Sequence, residues 1–243
     1  MKLSKISSAV LVSSLMAASV AQAAVEVSGG VALTNNYLFR GVSQTENGMA
    51  VQGELTAAHE SGLYASVWGS SISFGGGADG DTGAGMEGNM LFGYASSVGD
   101  VDYDVGVMRY FYPGADKKDG ANRLSYNEVY GSVGYKGATF GLNYSDDYFN
   151  ESGKFLYTYV GYEMELMENL TGSVHVGYNK LFDDAEALAN FGAEKYVDYS
   201  IGVSYAVGGV DLGLAYVGVD SDGKDAFEAL GVNKVVFSVA KSF

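Results

Sequence analysis

The feature that most constrains the fold of this chain is a two-residue alternation of apolar side chains with polar or small ones. In residues 197–207, Val, Tyr and Ile occupy the odd positions, while Asp, Ser, Gly and Ala occupy the even positions. Residues 101–107, 170–178 and 210–216 follow the same pattern. A period of two with one continuous apolar face indicates β-strands, because the apolar positions of an amphipathic helix would recur about every 3.6 residues.

The same template predicts about twelve strands along the chain. The composition agrees, because 19 Tyr and 12 Phe favour strands and the single Pro removes few ladder hydrogen bonds. The predicted strands lie near residues 25–39, 49–59, 63–74, 86–97, 101–112, 124–135, 138–148, 155–166, 169–179, 195–207, 210–219 and 232–243.

The connections between these strands alternate strictly between short and long. The tight turns lie at residues 60–62, 98–100, 136–137, 167–169 and 208–209. The longer, polar or Gly-rich connections lie at residues 41–48, 75–85, 113–123, 149–154, 180–194 and 220–231. Transmembrane barrels have short periplasmic turns and longer outer loops, whereas a soluble sandwich or lipocalin-like barrel has no reason to sort its loops. The sequence therefore predicts an all-β, transmembrane, antiparallel up-and-down barrel.

Both ends of the chain carry features of an exported barrel. Two lysines precede an apolar stretch at residues 6–20, and Ala-Gln-Ala follows at residues 21–23. This pattern predicts a secretory signal peptide over residues 1–23, because the stretch is short for an uncleaved membrane anchor, the weaker alternative. Residues 24–243 would then form the barrel. The last strand ends in Phe243, which is typical of the signal recognised by the outer-membrane barrel assembly machinery.

Charge and cysteine content exclude several classes of function. The chain has 14 Lys and Arg against 29 Asp and Glu, a net charge of −15. Loss of the two lysines in the signal peptide would leave 12 basic residues and a net charge of −17. Nucleic acid is therefore a poor partner, since phosphate binding needs a basic surface. The absence of Cys excludes thiol catalysis and Cys-ligated metals.

Eight acids occupy mid-strand positions on the less apolar face, which in a membrane barrel faces the lumen. They are Glu54, Glu87, Asp102, Asp104, Glu128, Glu163, Asp198 and Asp211. A lumen lined by carboxylates favours cations over anions along its length. In a soluble barrel the same acids would instead be solvated exterior residues.

Two arginines are candidates for opposing positive charge near the outer end of the lumen. Arg40 precedes Gln44 in the first predicted outer loop and, alternatively, holds that loop by bonding backbone carbonyls. Arg109 is out of phase with Asp102 and Asp104, so its alternative position is at the lipid headgroups.

The sequence contains little that points to catalysis or metal binding. Ser173 and His175 lie on the same predicted lumen face, but no third group or nucleophile signature accompanies them. Residues 220–225 faintly suggest a calcium loop, yet Gly223 is fourth where an EF-hand has its Gly sixth, and Lys224 stands at a ligand position. We therefore predict a lumen-facing polar His175, a solvated outer loop at residues 220–231, and neither metal nor cofactor.

A set of short motifs lies along most of the chain. The most distinctive is Asn-Tyr-Leu-Phe-Arg-Gly-Val-Ser-Gln at residues 36–44. The others are Val-Gln-Gly at 51–53, Gly-Leu-Tyr at 62–64, Trp-Gly-Ser at 68–70, Tyr-Asp-Val-Gly at 103–106, Tyr-Phe-Tyr-Pro-Gly at 110–114 and Tyr-Asn-Glu-Val-Tyr-Gly at 126–131. Together they resemble the N-terminal signature of the TorF family of porin-like proteins, of the Gcw_chp type. The resemblance implies an outer-membrane location and a pore.

The sequence thus predicts a porin-like channel in the outer membrane of a Gram-negative bacterium, without enzymatic activity. It would pass small hydrophilic solutes by passive diffusion, with a bias toward cations. Its other expected partners are outer-membrane lipid and, during biogenesis, the assembly machinery. Because barrels with few strands are often filled by side chains, a plugged structural or adhesive barrel is an alternative, and a lipid-modifying barrel enzyme is another.

Overall fold

The protein is described here by a computed structural model, which covers residues 25–74, 84–115, 122–182, 184–231 and 233–243. The predicted signal peptide lies outside the described residues, as do parts of the predicted loops at 75–85, 113–123 and 180–194 and the first residue of the predicted strand at 232–243. The strands are β1 Val25–Thr34, β2 Leu38–Phe39, β3 Val42–Ser43, β4 Ala50–His59, β5 Leu63–Ser71, β6 Met86–Val98, β7 Val101–Phe111, β8 Tyr126–Tyr135, β9 Ala138–Ser145, β10 Phe155–Met167, β11 Leu170–Leu181, β12 Lys195–Val207, β13 Val210–Val219 and β14 Lys234–Ser242.

Twelve of these strands form one closed antiparallel barrel. Each strand from β4 to β14 pairs with its neighbours along the chain, and β1 pairs with both β4 and β14. The first and last strands close the ring through a register that pairs Gly30 with Ser242 and Thr34 with Ser238. Gly29 and Phe243 exchange two backbone hydrogen bonds, both 3.0 Å. The predicted all-β, up-and-down barrel of twelve strands is therefore confirmed.

The barrel is apolar outside and polar or aromatic inside. Outward-facing Val27, Val31, Val105, Phe140 and Ile201 are between 50% and 61% exposed, although they are large apolar residues. Inward-facing polar residues on the same strands are less exposed, as partly exposed Asp104 and Asn143 and buried Asp198 show. A continuous apolar outer surface of this extent suits contact with lipid. The alternation seen in the sequence thus places its apolar face outward and its polar face in the lumen.

The two ends of the barrel differ in the length of their connections. At one end, which we call the turn end, the strands are joined by tight turns with left-handed backbone residues. Lys136 and Gly137 both have positive φ, at 47° and 86°, which fits a two-residue hairpin turn with the right-handed twist of the strands. The opposite end, which we call the loop end, carries the longer connections. Both β1 and β14 have their free ends at the turn end.

The predicted strand at residues 25–39 is wrong in its last part. The chain leaves the barrel at Thr34, and β2 and β3 pair only with each other, Leu38 with Ser43 and Phe39 with Val42. The tip of this small hairpin, Arg40 and Gly41, has left-handed backbone with φ of 48° and 80°. We call residues 35–49 the inward hairpin, for the position described below.

Two of the longer, loop-end connections contain short helices. Residues Asp184–Glu186 form α1, which continues as a wider helical turn over Ala187–Phe191, and Ser221–Phe227 form α2, followed by a 3-10 turn over Glu228–Leu230. A further 3-10 turn spans Phe149–Glu151. None of the helices within the described part of the chain has the length and apolar character needed to cross a membrane.

The calcium-like stretch at residues 220–225 is the start of α2. The Asp220 carboxylate caps this helix by accepting a hydrogen bond from the backbone N–H of Gly223, with Oδ1 and N 3.1 Å apart. Asp, Ser and Asn favour this position because their side chains satisfy backbone donors that the first helical turn leaves free. The predicted solvated outer loop is thus a short helix at the loop end, with Ser221, Asp222 and Asp225 exposed and Asp220 capping its N-terminus.

Inward-facing glycines make room for tyrosine rings. A Cβ atom at Gly106 in β7 would lie 2.5 Å from the Tyr130 hydroxyl oxygen and 2.6 Å from the Phe92 carbonyl oxygen. At Gly134 in β8, a Cβ atom would meet the Asp102 Cβ at an ordinary 3.5 Å. The lumen is thus tightly filled beside Gly106 and has space beside Gly134.

We predict that Gly106→Ala lowers the free energy of unfolding by about 1–3 kcal/mol, because the added methyl group overpacks the lumen wall. Gly134→Ala is the matched control and should change it by less than about 0.5 kcal/mol. Urea titration of the detergent-folded barrel measures both. Equal midpoints for the two variants would contradict the close packing inferred at Gly106.

Candidate functional site

The inward hairpin folds into the loop end of the lumen rather than standing outside it. Its tip residue Arg40 is only 9% exposed. A Cβ atom at Gly41 would lie 2.5 Å from Val219 Cγ1 and 3.0 Å from Asp198 Cβ, so the tip packs against the wall formed by β12 and β13. Only glycine combines this close approach with the left-handed backbone that the tip requires. The first predicted outer loop is therefore part of the barrel interior.

Arg40 forms a two-pronged ion pair with Glu128, which lies on β8, four strands from β4 around the barrel. Its Nη1 is 2.8 Å from Oε1 and its Nη2 is 2.9 Å from Oε2. Nη1 also donates to the Tyr148 hydroxyl at 3.1 Å. The carboxylate accepts further hydrogen bonds from Asn143 Nδ2 at 2.9 Å and from the Tyr110 hydroxyl at 3.3 Å. Two hydrogen bonds therefore join the pair, and three more link it to neighbouring side chains.

Aromatic rings surround the Arg40 guanidinium. Its central carbon lies 4.5 Å from the ring centroid of Tyr157, 4.6 Å from Phe39, 4.8 Å from Phe155 and 5.7 Å from Tyr148. Rings at such distances attract a cation through their negative faces, most strongly where water is excluded. We call Glu128, Tyr148, Phe155 and Tyr157 the guanidinium cage. All four belong to the barrel wall or to a loop-end connection, and none to the inward hairpin.

The surroundings keep Arg40 and Tyr148, the two loop-end residues that hydrogen-bond each other, in their ordinary protonation states. Burial by itself would lower the pKa of Arg40, but the Glu128 carboxylate and neighbouring tyrosines outweigh burial and leave that pKa raised. Burial raises the pKa of Tyr148 to about 12. Near neutral pH, Arg40 therefore carries its charge, and Tyr148 keeps its hydroxyl proton.

Side-chain hydrogen bonds hold the inward hairpin in shape. Asn36 Oδ1 accepts from the Ser43 hydroxyl at 2.7 Å and from the Thr45 hydroxyl at 3.1 Å. The backbone carbonyl of Gln44 accepts from the backbone N–H of Ser73 at 2.8 Å, which links the hairpin to the next connection. The Gln44 side chain bonds within the hairpin, donating to the Val42 carbonyl at 3.0 Å.

All eight predicted lumen acids lie on the inward face, in two environments. Three near the loop end are almost fully buried: Glu87 and Glu128 are 1% exposed and Asp198 is 3% exposed. These three are enclosed by packed side chains rather than facing open solvent. The other five, Glu54, Asp102, Asp104, Glu163 and Asp211, are partly exposed.

The buried acids other than Glu128 each have their own hydrogen-bond network. Glu87 Oε1 accepts from Asn89 Nδ2 at 3.2 Å and from the Tyr37 hydroxyl at 3.4 Å. Asp198 accepts from Asn179 Nδ2 at 2.8 Å and from the Tyr157 hydroxyl at 3.2 Å. Toward the turn end, the Tyr64 hydroxyl donates to Asp104, with its oxygen 2.9 Å and 3.0 Å from the two carboxylate oxygens.

The two arginine hypotheses are corrected by these positions. Arg40 holds the first loop as expected, but its partners are the Glu128 carboxylate and the Tyr148 hydroxyl instead of backbone carbonyls. Arg109 lies on the outward face of β7 and donates to Asn127 Oδ1 at 3.1 Å. Arg109 thus contributes no charge to the lumen, and Arg40 is neutralised locally by its partner.

The candidate catalytic pair does not form a dyad. His175 Nε2 lies 2.7 Å from the Tyr157 hydroxyl oxygen and 3.3 Å from Asp198 Oδ1, so it belongs to the loop-end network rather than to Ser173. The ring is 9% exposed, consistent with the predicted lumen-facing polar role. Across the described ranges, no cluster of three or more His, Asp or Glu is arranged to hold a metal ion.

The residues that sequence analysis missed are the aromatic side chains that fill the loop end. Tyr110 stacks on Tyr126 with ring centroids 4.3 Å apart, and Tyr148 stacks on Phe155 at 3.9 Å. The buried members of this aromatic cluster are Tyr37, Tyr110, Tyr112, Tyr126, Tyr148, Phe155 and Tyr157. Strand parity was a usable signal, because Tyr110 is in phase with the lumen acids Asp102 and Asp104.

The closed barrel, its inside-out polarity and its inward hairpin define a twelve-stranded barrel of membrane-protein type. The chain belongs to the family described as "Bacterial protein of unknown function (Gcw_chp)", whose model matches residues 18–243. No curated protein sequence matches the chain significantly.

Solved porin structures share the fold at low sequence identity. The KdgM porin superposes with a TM-score of 0.52 at 9% identity, covering 89% of this chain and 98% of that chain. The KdgM porin in complex with disordered oligogalacturonate gives 0.51 at 9% identity, with 89% and 97% covered. The NanC porin gives 0.50 at 12% identity, with 88% and 98% covered. At such identities, these similarities establish the fold.

We predict that Arg40→Ala lowers the free energy of unfolding by about 3–5 kcal/mol, because it leaves the Glu128 carboxylate buried without its counter-charge. The control is Arg123→Ala, which removes an arginine paired with Asp147 at 3.0 Å with both side chains substantially exposed. That variant should lose no more than about 1 kcal/mol. Thermal unfolding in detergent measures both, and similar losses in the two variants would contradict a strong buried pair.

Proposed function

We propose that the chain is a porin-like channel of the outer membrane that passes small hydrophilic solutes by passive diffusion, with a bias toward cations. The observation that carries the proposal is a closed, apolar-surfaced barrel whose inward face bears partly exposed acids. The loop end would face outward and the turn end the periplasm, as the loop lengths of such barrels indicate. The shared fold with the KdgM and NanC porins supports the same class.

The charges on the inward face support the bias toward cations. Five partly exposed acids face the lumen, whereas among lysines and arginines of the described barrel strands only Lys234 lies on the inward face. Lys180, Lys195 and Lys241 point outward by strand parity. Carboxylates in a narrow, low-dielectric passage lower the energy of a cation and raise that of an anion.

The same charges argue against an acidic oligosaccharide as the solute. The KdgM porin has been solved with disordered oligogalacturonate, a polymer whose sugar units carry carboxylates. In this chain a polyanion would approach inward-facing acids without a matching set of inward-facing basic residues. We therefore propose that the two barrels share an architecture and differ in the charge of the solute.

The packing at the loop end favours a second candidate, a plugged barrel with a structural or adhesive role. The inward hairpin and the buried aromatic cluster together occupy the lumen at the level of Glu128. A barrel filled in this way would be silent unless the hairpin moves. Conductance therefore separates the two candidates directly.

A catalytic role receives no support from the site. His175 is engaged by Tyr157 and Asp198, and its surroundings are those of a packed polar network. We propose a protein without enzymatic activity, cofactor or resident metal. We likewise propose that the chain belongs to the TorF group within its family, on the basis of the Arg-Gly-x-Ser-Gln block at residues 40–44.

The C-terminal residue supports assembly by the outer-membrane machinery as part of the same proposal. Phe243 is 62% exposed on the outer surface at the seam where β1 and β14 close the barrel. An exposed aromatic residue at the end of the closing strand is available for recognition before the seam forms. The surrounding lipid would cover it in the folded protein.

Planar-bilayer recording tests the channel proposal. We expect discrete conductance steps and a reversal potential of cation-selective sign in a salt gradient. Asp102→Asn with Asp104→Asn should move that potential toward zero, because two lumen charges are lost. The control removes the same number of charges from exposed turns, through Glu60→Gln with Glu168→Gln, and should leave the potential unchanged. A folded but silent barrel would favour the plugged alternative.

A further inference from the structure

The guanidinium cage has the composition of a ligand site, and the chain fills it with its own side chain. We propose that the cage is a binding site for solutes bearing a guanidinium group, and that Arg40 occupies it as an internal substitute for such a solute. The inference rests on the proposed channel function, since it names the class of cation that the lumen would select. It assigns to the inward hairpin the role of a competing plug.

The residues that form the cage belong to different segments of the chain from Arg40, which occupies it. Glu128 lies on β8, Phe155 and Tyr157 lie on β10, and Tyr148 lies in the connection between β9 and β10. Together these wall residues offer two carboxylate oxygens at 2.8 Å and 2.9 Å, a hydroxyl at 3.1 Å and three rings within 5.7 Å. If the hairpin withdrew, the wall would retain these groups around an empty, acidic, aromatic pocket.

The donor and acceptor pattern selects a guanidinium over other cations. Two parallel N–H bonds to both oxygens of one carboxylate require a planar fork, which guanidinium has and a primary ammonium lacks. Flat rings on several sides also favour a delocalised, weakly hydrated cation. A neutral ureido group has a similar shape but gives up the charge that Glu128 requires. We therefore expect the order guanidinium, then ammonium, then ureido.

The inward hairpin can leave without breaking the barrel. Its strands β2 and β3 hydrogen-bond only with each other, so no ladder of the twelve-stranded sheet depends on them. Its other contacts with the barrel are ring packing, the close fit of Gly41 against β12 and β13, and side-chain or loop hydrogen bonds. Among these bonds, the Tyr37 hydroxyl donates to Glu87 at 3.4 Å and the Ser73 N–H donates to the Gln44 carbonyl at 2.8 Å. Exchange of Arg40 for a solute of the same chemistry would replace the strongest of its contacts in kind.

A solute held by the cage would be positioned for passage toward the turn end. Glu128 is paired with Met108 on β7, and Asp104 lies four residues farther along the same strand toward the turn end. At the rise of a strand, that separation is roughly 13 Å. Asp104 and Asp102 thus continue an acidic path below the cage, and a cation released from Glu128 would next meet these carboxylates.

Chemical rescue of a variant tests the site. In Arg40→Ala, millimolar methylguanidinium should raise the thermal midpoint, whereas methylammonium and methylurea should not. The double variant Arg40→Ala with Glu128→Gln should lose the effect, and Arg123→Ala reports any non-specific action of the salt. If Arg40→Ala does not fold alone, refolding yield with the same three compounds is the readout. Equal responses to methylguanidinium and methylammonium, or no response to either, would overturn the proposal.

Flux through the unaltered protein provides the second test. In proteoliposomes, arginine should pass several-fold faster than lysine, which carries the same charge, and faster still than citrulline, its neutral ureido analogue. Equal rates for arginine and lysine would overturn the selectivity.

The channel proposal and the guanidinium-site proposal can fail separately. Rescue by methylguanidinium in a barrel that never conducts would refute the channel and keep the site, whereas a conducting barrel without rescue would do the reverse.

Discussion

The ion pair between Arg40 and Glu128 determines how the interior of this barrel is organised. Two charges withdrawn from water are tolerated only when they are paired and fully hydrogen-bonded. Here the requirement brings the first loop into the lumen, positions Asn143 and Tyr110 around the carboxylate, and surrounds the guanidinium with aromatic rings. The packing of the loop end therefore follows from burying one pair of charges whose two residues are 88 positions apart in the sequence.

The inside-out polarity of the barrel explains why such a network can exist there. With apolar side chains directed outward, the lumen receives polar and small side chains along the strands and aromatic ones toward the loop end. Glycine on that half makes room for tyrosine, as at Gly106 beneath Tyr130, and the tyrosine hydroxyls then reach acids on other strands. Tyr suits this environment because its ring packs against other rings while its hydroxyl donates to a carboxylate.

The barrel could be predicted from the sequence because strand parity and loop length are local properties. The inward hairpin could not be predicted, since the alternation of β1 continues in the sequence to residue 39. The partner that draws Arg40 inward lies 88 residues away. The helix α2 was missed because Asp220 fits both an outer loop and a helix cap. Tyr110 could have been placed in the lumen by its phase with Asp104, but tyrosine is equally expected at a membrane interface.

The inward hairpin is held in the lumen by a charged contact, although an apolar contact could hold it equally well. A buried ion pair adds little net stability compared with well-packed apolar side chains of similar volume, because desolvation offsets the attraction. A hairpin required only to stay in place would be held at least as well by leucine and phenylalanine, and the surrounding rings already provide an apolar setting. An ion pair differs from such packing in the kind of solute that can replace one partner, since a soluble guanidinium can form the same two bonds to a carboxylate and an apolar contact offers it none. The chemistry of the contact therefore favours an exchangeable closure over a permanent one.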